Sequence, residues 1–260
     1  MVLMAFHIFM QVLLESLPVS SSGHIFLISQ FLQKVYGSGY ALQVNESVDF
    51  LLHLPTFVVV GLFFFKSWSK KLVDFIFLKK DALLLAAWVL FIDLVTFSLY
   101  LVLQKTGKGW FPLPFGFLIT GLLLLSLRWM KNNKEQGLSF KNGLALGVVQ
   151  GTALLPGISR LGSTFVAARW LGFSRAQAFE YSLLIQFPLV FAAVIKGFLV
   201  SDVAFLRSTF LTGSIIASFL ISGTISYFLL WGVQKIIERG ALWRFCFYMI
   251  PLGCVTFLLL

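Results

Sequence analysis

Two short polar segments interrupt an otherwise apolar chain, and both carry residue types that bind or transform phosphate groups. The first motif, residues 11–24, reads QVLLESLPVSSSGH, and the second motif, residues 150–164, reads QGTALLPGISRLGST. In each, a polar residue and an apolar stretch precede a proline, hydroxyl residues and a glycine. This composition breaks a helix, which a membrane protein tolerates only where the backbone is buried in protein or lines a wet cavity. The pair therefore predicts a central site.

The second motif has the features of a phosphate-binding loop. Arg160 follows Ser159 at the break, where free backbone amides and the positive end of the next half-helix attract anions. With those amides, the Arg160 guanidinium and the hydroxyls of Ser159, Ser163 and Thr164 are expected to form a phosphate cradle, and Gly162 of the same loop is expected to contact the substrate. The alternative is an arginine that reaches the membrane interface or pairs with a structural carboxylate.

The first motif supplies groups for metal binding and proton transfer. Gln11 and Glu15 are four residues apart and share a helix face. A carboxylate there can bind Mg²⁺ or Ca²⁺ beside substrate phosphates. His24 can act as a general acid or base, and one of the serines at 20–22 can be a nucleophile if a base is near. Gln11 and Ser20 are expected to contact the substrate. Alone, this serine run is more typical of a loop; opposite a phosphate-binding arginine, it predicts half of an active site.

Four other polar residues lie in apolar surroundings. Asp93 or Glu180 could pair with Arg160; for Glu180 a functional and a structural role are equally favoured, and for Asp93 a structural one. His7 and His53 are expected to be core or interfacial histidines and not ligands. The sequence contains no nucleotide-binding loop and no zinc-ligand spacing, so it does not support nucleotide hydrolysis or zinc chemistry.

The composition indicates an all-α polytopic membrane protein. Hydrophobic residues make up 59% of the chain, charged residues 12%, and the mean hydropathy is +0.94, values that no soluble domain of this length has. About six membrane-spanning helices are predicted, together with the two motifs as re-entrant helix-loop-helix segments. The predicted spans lie near residues 50–65, 83–103, 114–130, 178–196, 208–232 and 243–260.

The distribution of positive charge predicts the topology. Fourteen of the 20 Lys and Arg residues fall in connections on one side and five on the other, so the first side is cytoplasmic. The two motifs then enter from opposite faces, which predicts an inverted 3+3 repeat with halves 1–131 and 132–260 inside one integral membrane domain, 1–260. The net charge of +10 does not indicate nucleic acid, because the basic residues lie between apolar runs.

Both motifs together resemble the undecaprenyl-pyrophosphate phosphatase family of bacteria, whose members confer bacitracin resistance when abundant. The matching residues are Gln11-x-x-x-Glu15, Leu17 to His24 and Pro156 to Thr164. The resemblance implies a hydrolase that converts undecaprenyl (polyprenyl) diphosphate to the monophosphate and inorganic phosphate, and so recycles the lipid carrier for peptidoglycan and cell-wall synthesis. It also implies a bacterial plasma (inner) membrane enzyme whose site opens to the periplasm.

The resemblance implies a role for each motif residue. Glu15 binds the divalent cation, Mg²⁺ or Ca²⁺; Ser21, the second serine of its pair, is the nucleophile beside Ser20; Arg160 binds the diphosphate; and His24 is the acid or base. Two positions depart from the family pattern. Gln11 stands where Glu is common and removes a negative charge from the metal site, and Leu161 replaces a common serine.

Two other functions remain open at this point. A secondary transporter or flippase of a lipid phosphate shares inverted repeats and broken helices, but it needs no serine beside an acid or base histidine. A catalytically weakened homologue is the other, because of Gln11 and Leu161. The expected partners are a polyprenyl diphosphate lipid and the membrane, with no nucleic acid; a homodimer is left open.

Overall fold

The chain folds into α-helices joined by short turns. The computed structural model describes residues 2–37, 50–106, 111–133, 135–202 and 212–259, and these residues contain no β-strand. The helices are α1 Val2–Glu15, α2 Ser21–Tyr36, α3 Leu54–Phe63, α4 Phe65–Ile76, α5 Lys80–Thr106, α6 Leu113–Ser126, α7 Phe140–Thr152, α8 Arg160–Trp170, α9 Arg175–Leu184, α10 Phe187–Val200, α11 Gly213–Glu238 and α12 Cys246–Leu259.

The helix lengths confirm a polytopic membrane protein. Within the described ranges, four stretches are long and apolar enough to cross a membrane: Lys80–Lys105, Arg175–Val200, Gly213–Glu238 and Leu242–Leu259. Two of the six predicted spans are shorter. Helix α3 has 10 residues, about 15 Å at the usual rise, which is roughly half the hydrocarbon thickness. Helix α6 reaches Trp129 only with a 3₁₀ turn.

Prolines set several helix boundaries. Pro55, Pro114 and Pro188 occupy the second positions of α3, α6 and α10, where a missing N–H costs no helical hydrogen bond. Pro188 therefore divides the long stretch Arg175–Val200 into α9 and α10.

The connection between the first two predicted spans contains a helix, α4. In α4 no residue is buried, and the helix is tied to α9 by Glu180. The carboxylate of Glu180 accepts hydrogen bonds from Ser67 Oγ at 2.8 Å, from Trp68 Nε1 at 3.1 Å and from Lys71 Nζ. The suggestion that Glu180 pairs with Arg160 is therefore wrong, and the role that the structure gives Glu180 is structural.

The helices that precede the two breaks pack in a reciprocal way. Helix α1 packs mainly on α11, α7 packs mainly on α5, and α6 and α12 form a third extensive contact. Asp93 of α5 accepts a hydrogen bond at 3.2 Å from the side chain of Gln150 in α7, so Asp93 contributes to this packing and does not pair with Arg160. The helix before each break thus packs on a helix of the other half of the sequence, as expected if the halves are related by a two-fold axis. The inverted 3+3 repeat and its boundaries stay a prediction. Lys108, Lys134 and Arg207, which entered the charge count, lie outside the described residues.

Candidate active site

The two motifs form the same local structure. Ser20 caps α2 and Ser159 caps α8, each with an extended backbone. Each serine hydroxyl accepts a hydrogen bond from the glycine three residues on, at 3.2 Å from Gly23 N and 3.1 Å from Gly162 N. This is the N-cap arrangement that serine favours. It gives the next residues, Ser21 and Arg160, equivalent positions as the first residue of a helix.

Helix α6 holds the second motif in place. The backbone turns at Gly157 with φ of +81°, a conformation that favours glycine. Thr120 of α6 donates its hydroxyl to Gly157 O at 3.2 Å and accepts from Ser159 N at 3.0 Å. At Gly116, one turn earlier in α6, an added Cβ would lie 2.0 Å from Pro156 O, so only glycine allows this approach. Sequence reasoning missed Thr120 and Gly116, since no local pattern links them to residues about 40 positions away.

The structure brings Glu15 and Arg160 together from the two motifs. Arg160 Nη2 donates to Glu15 Oε1 at 3.4 Å, and Glu15 is buried. The loops also meet beside this pair, because an added Cβ on Gly162 would lie 3.2 Å from Pro18 O. The predicted encounter of the two motifs thus occurs at Glu15 and Arg160.

Two residues at the start of α3 hold the Glu15 carboxylate. His53 Nδ1 donates to its two oxygens at 2.9 and 3.1 Å, and Thr56 Oγ1 donates to Oε2 at 2.8 Å. Sequence reasoning passed over both and took His53 for a packing residue. The segment LHLPT did contain a signal, because Pro55 predicts a helix start and so places His53 and Thr56 together at one helix end.

Several hydrogen-bond donors at the two breaks have no protein acceptor among the described residues. They are the remaining N–H groups of the Arg160 guanidinium, the backbone amides of Ser21 and Ser22 in α2, and those of Arg160 and Leu161 in α8. The Ser21 hydroxyl also has no hydrogen-bond partner in this part of the chain and is half-buried. Unpaired amides at helix N-termini and a guanidinium are the groups that bind phosphate oxygens.

The other predicted cradle residues use their hydroxyls locally. Ser163 donates to Ser159 O at 2.7 Å and Thr164 donates to Arg160 O at 2.7 Å, while Ser159 and Ser20 serve as caps. These residues shape the loops, and direct phosphate contacts from their side chains stay a prediction.

His24 lies in the first turns of α2 with both ring nitrogens engaged. Nδ1 donates to Ser20 O at 2.6 Å, and Nε2 lies 2.7 Å from the hydroxyl of Tyr248 in α12. The imidazole also packs edge-on against Phe117 of α6, with 5.3 Å between the ring centroids. His24 therefore adjoins the first break, but its nitrogens make no hydrogen bond to Ser21.

The side-chain oxygens of Glu15 and Gln11 are too few to coordinate a divalent cation without waters or substrate oxygens. The described residues contain no group of three or more His, Cys, Asp or Glu side chains that could hold a metal. Gln11 and Glu15 are both buried one turn apart on α1, and the Gln11 amide has no hydrogen-bond partner within the described ranges. Their oxygens suit Mg²⁺ or Ca²⁺ when waters and phosphate oxygens complete the shell.

A sequence profile of the family described as bacitracin resistance protein BacA matches residues 6–255. The chain belongs to the BacA family. An undecaprenyl-diphosphatase of Treponema denticola is 33% identical, with 94% of this chain and 91% of the relative covered. Proteins of the same name from Halothermothrix orenii, at 32% with coverage of 96% and 94%, and Borrelia hermsii, at 30% with 96% of each chain, are also similar. The matched residues include both motifs.

Proposed function

We propose that this BacA-family protein is a membrane hydrolase that converts undecaprenyl diphosphate to the monophosphate and inorganic phosphate. The observation that carries the proposal is the contact at 3.4 Å between Arg160 and Glu15, two charged residues that the fold brings together beside two helix N-termini with unpaired amides. The similarity to proteins named undecaprenyl-diphosphatase supports this substrate. Such a reaction recycles the lipid carrier for cell-wall synthesis, and an abundance of the enzyme accounts for a role in bacitracin resistance.

Each residue has a definable part in this reaction. Arg160 and the first amides of α2 and α8 bind the terminal phosphoryl group and stabilise the charge that develops on it. Ser21 Oγ attacks phosphorus as the bond to the monophosphate leaving group breaks, and water then hydrolyses the phosphoserine to release inorganic phosphate. His24 accepts or returns the proton in these steps. In the alternative, Ser21 orients a water that attacks directly.

Glu15 and Gln11 would hold a divalent cation, Mg²⁺ or Ca²⁺. When bound, this cation would neutralise part of the negative charge of the diphosphate. His53 and Thr56 fix the Glu15 carboxylate through the hydrogen bonds described above. Because Gln11 is neutral, we expect a weaker affinity for the cation than a second carboxylate would give.

The proposed location is the bacterial inner membrane, with the site open to the periplasm. The asymmetry of Lys and Arg between the two sides supports this orientation. The substrate reaches the site from the lipid phase, and the proposed chemistry requires no second copy of the chain.

Release of inorganic phosphate from farnesyl diphosphate, a soluble short-chain analogue, tests the proposal. Purified protein in detergent should release phosphate, EDTA should abolish the release, and Mg²⁺ or Ca²⁺ should restore it. Glu15→Gln is the matched variant and should lose both activity and the response to metal. Wild-type protein that binds farnesyl diphosphate but releases no phosphate would favour the transporter instead.

A further inference from the structure

We propose that Tyr248 is a positioning residue for His24, which it holds as the neutral tautomer with an unprotonated Nε2. The proposal rests on the proposed function and names one more residue of the same site. Tyr248 lies in α12, 224 residues from His24 in sequence, and no motif points to it.

The backbone determines which nitrogen of His24 carries the proton. Nδ1 lies 2.6 Å from Ser20 O, and a carbonyl oxygen can only accept a hydrogen bond, so Nδ1 must be protonated. In the neutral ring Nε2 is then the acceptor, and the Tyr248 hydroxyl, 2.7 Å away, donates to it. Any proton that His24 accepts or returns during the reaction must therefore pass through Nε2. When Nε2 is protonated it becomes a donor, and the Tyr248 hydroxyl then accepts its hydrogen bond.

Ring packing keeps this pair in register. The imidazole of His24 stacks on the phenol of Tyr248 with 14° between the planes and 5.6 Å between the centroids, and Phe117 contacts the imidazole edge-on. His24 is buried, whereas the Tyr248 side chain is 48% exposed. Tyr248 therefore covers the imidazole on the outer side and supplies its second hydrogen bond.

The anchoring of α12 explains why Tyr248 stays at this position. Helix α12 packs extensively on α6. An added Cβ on Gly121 of α6 would lie 3.3 Å from Met249 Cβ, and one on Gly253 would lie 3.1 Å from Leu118 N. Helix α6 also holds the second motif through Thr120. One helix thus places both the acid or base residue and the phosphate-binding loop.

Tyr248→Phe tests the proposal, because it keeps the stacked ring and removes the hydrogen bond. With farnesyl diphosphate we expect kcat to fall about tenfold, the worth of one hydrogen bond, with KM unchanged. Tyr227→Phe is the matched control: Tyr227 is an exposed tyrosine of α11 whose hydroxyl has no hydrogen-bond partner in the described chain. In a His24→Asn background, which keeps a donor for Ser20 O, Tyr248→Phe should cause no further loss.

Nitrogen-15 NMR of histidine-labelled protein provides a readout that does not depend on activity. The signals of His24 are assigned from their loss in His24→Asn. We expect wild type to show a protonated Nδ1 and a hydrogen-bonded, unprotonated Nε2, and Tyr248→Phe to shift the Nε2 signal downfield while Nδ1 stays protonated.

Three results would overturn the positioning role: Tyr248→Phe activity equal to that of Tyr227→Phe, an independent loss in the His24→Asn background, or a wild-type spectrum with the proton on Nε2. Wild-type protein that releases no phosphate would instead contradict the proposed function. The NMR result would still show whether Tyr248 donates a hydrogen bond to His24 Nε2.

Discussion

At the scale of single residues, the charges of Glu15 and Arg160 stand at helix ends that do not stabilise them. Glu15 is the last residue of α1 and Arg160 is the first residue of α8. The helix dipole disfavours an anion at a C-terminus and a cation at an N-terminus by about 0.3–1 kcal/mol each. The two charges stabilise each other, and Glu15 also accepts hydrogen bonds from His53 and Thr56. An arrangement that is locally unfavourable but completed by distant partners is typical of a functional site.

Arg160→Lys should lower phosphate release by roughly 100-fold or more, because an ammonium does not reproduce the planar fork of a guanidinium. The variant keeps the positive charge near Glu15, so we expect the protein to insert and fold. Initial rates with farnesyl diphosphate and size-exclusion profiles in detergent measure the two properties. Activity equal to that of wild type would show that the chemistry lies elsewhere.

Ser21→Ala distinguishes the two modes of attack. If Ser21 is the nucleophile, turnover should be almost abolished; if it orients a water, the loss should be partial. Ser22→Ala is the control, because Ser22 is exposed and, among the described residues, its hydroxyl forms a hydrogen bond only with the Ser20 hydroxyl, at 3.3 Å. Equal rates for Ser21→Ala and Ser22→Ala would remove Ser21 from the mechanism.

His53→Ala should lower activity by about tenfold or more and destabilise the fold by roughly 1–3 kcal/mol, because the buried Glu15 carboxylate loses a charge-assisted hydrogen bond. His53→Gln, whose amide can donate to the same oxygens, should retain more of both. Phosphate release and thermal unfolding in detergent measure the effects. If the Ala and Gln variants behave alike, the hydrogen bond to Glu15 does not matter.

At the scale of elements, α6 is the support on which both motifs rest. Its Gly116 and Thr120 hold the second motif, and the ring of Phe117 lies against Gly23 at the start of α2, where an added Cβ would be 2.7 Å from the ring. The helix is too short to count as a clear membrane span, yet it contacts both half-helices that follow the breaks.

Gly116→Ala tests this support, because the added methyl group would meet the backbone oxygen of Pro156 and displace the second motif. We expect a destabilisation of about 1–3 kcal/mol or more, together with a loss of phosphate release. Gly232→Ala in α11 is the control, since no atom of the other described residues, apart from the helix's own backbone, lies within 4 Å of its added Cβ; it should be neutral or slightly stabilising. The same melting temperature for both variants would contradict the role given to α6.

At the scale of the whole molecule, the surface charges determine how the chain sits in the bilayer. The basic residues of α4 and its flanks lie at the side that the charge count makes cytoplasmic, and α4 is the amphipathic helix that Glu180 ties to α9. In the proposed orientation the site would open on the other side, where the product phosphate would leave.

Cysteine labelling tests this orientation in a Cys246→Ala, Cys254→Ala background. An impermeant thiol reagent added to intact cells should not label Lys70→Cys in α4, but should label it after permeabilisation. Lys105→Cys at the end of α5 is the matched position on the predicted outer side and should be labelled in intact cells; both residues are exposed. The reverse pattern would invert the topology.

The sequence by itself determined the helical membrane class, the two breaks and most of the residues that surround them. These properties are local: a run of apolar residues, a proline with a glycine, and an N-cap serine act through neighbours in the chain. For this reason the likeness of the two breaks could be predicted, and the meeting of the two motifs followed from it, whereas the equivalent capping roles of Ser20 and Ser159 came from the structure.

Only the tertiary structure decided which side chains complete the site. His53, Thr120 and Tyr248 lie 38, 39 and 224 residues from the groups that they contact, and such contacts depend on how helices pack. The same reason explains why Asp93 and Glu180 could be suggested as partners of Arg160, although they pair with Gln150 and Lys71. A charged residue in an apolar segment predicts that a polar partner exists, but the packing of the helices determines which residue is that partner.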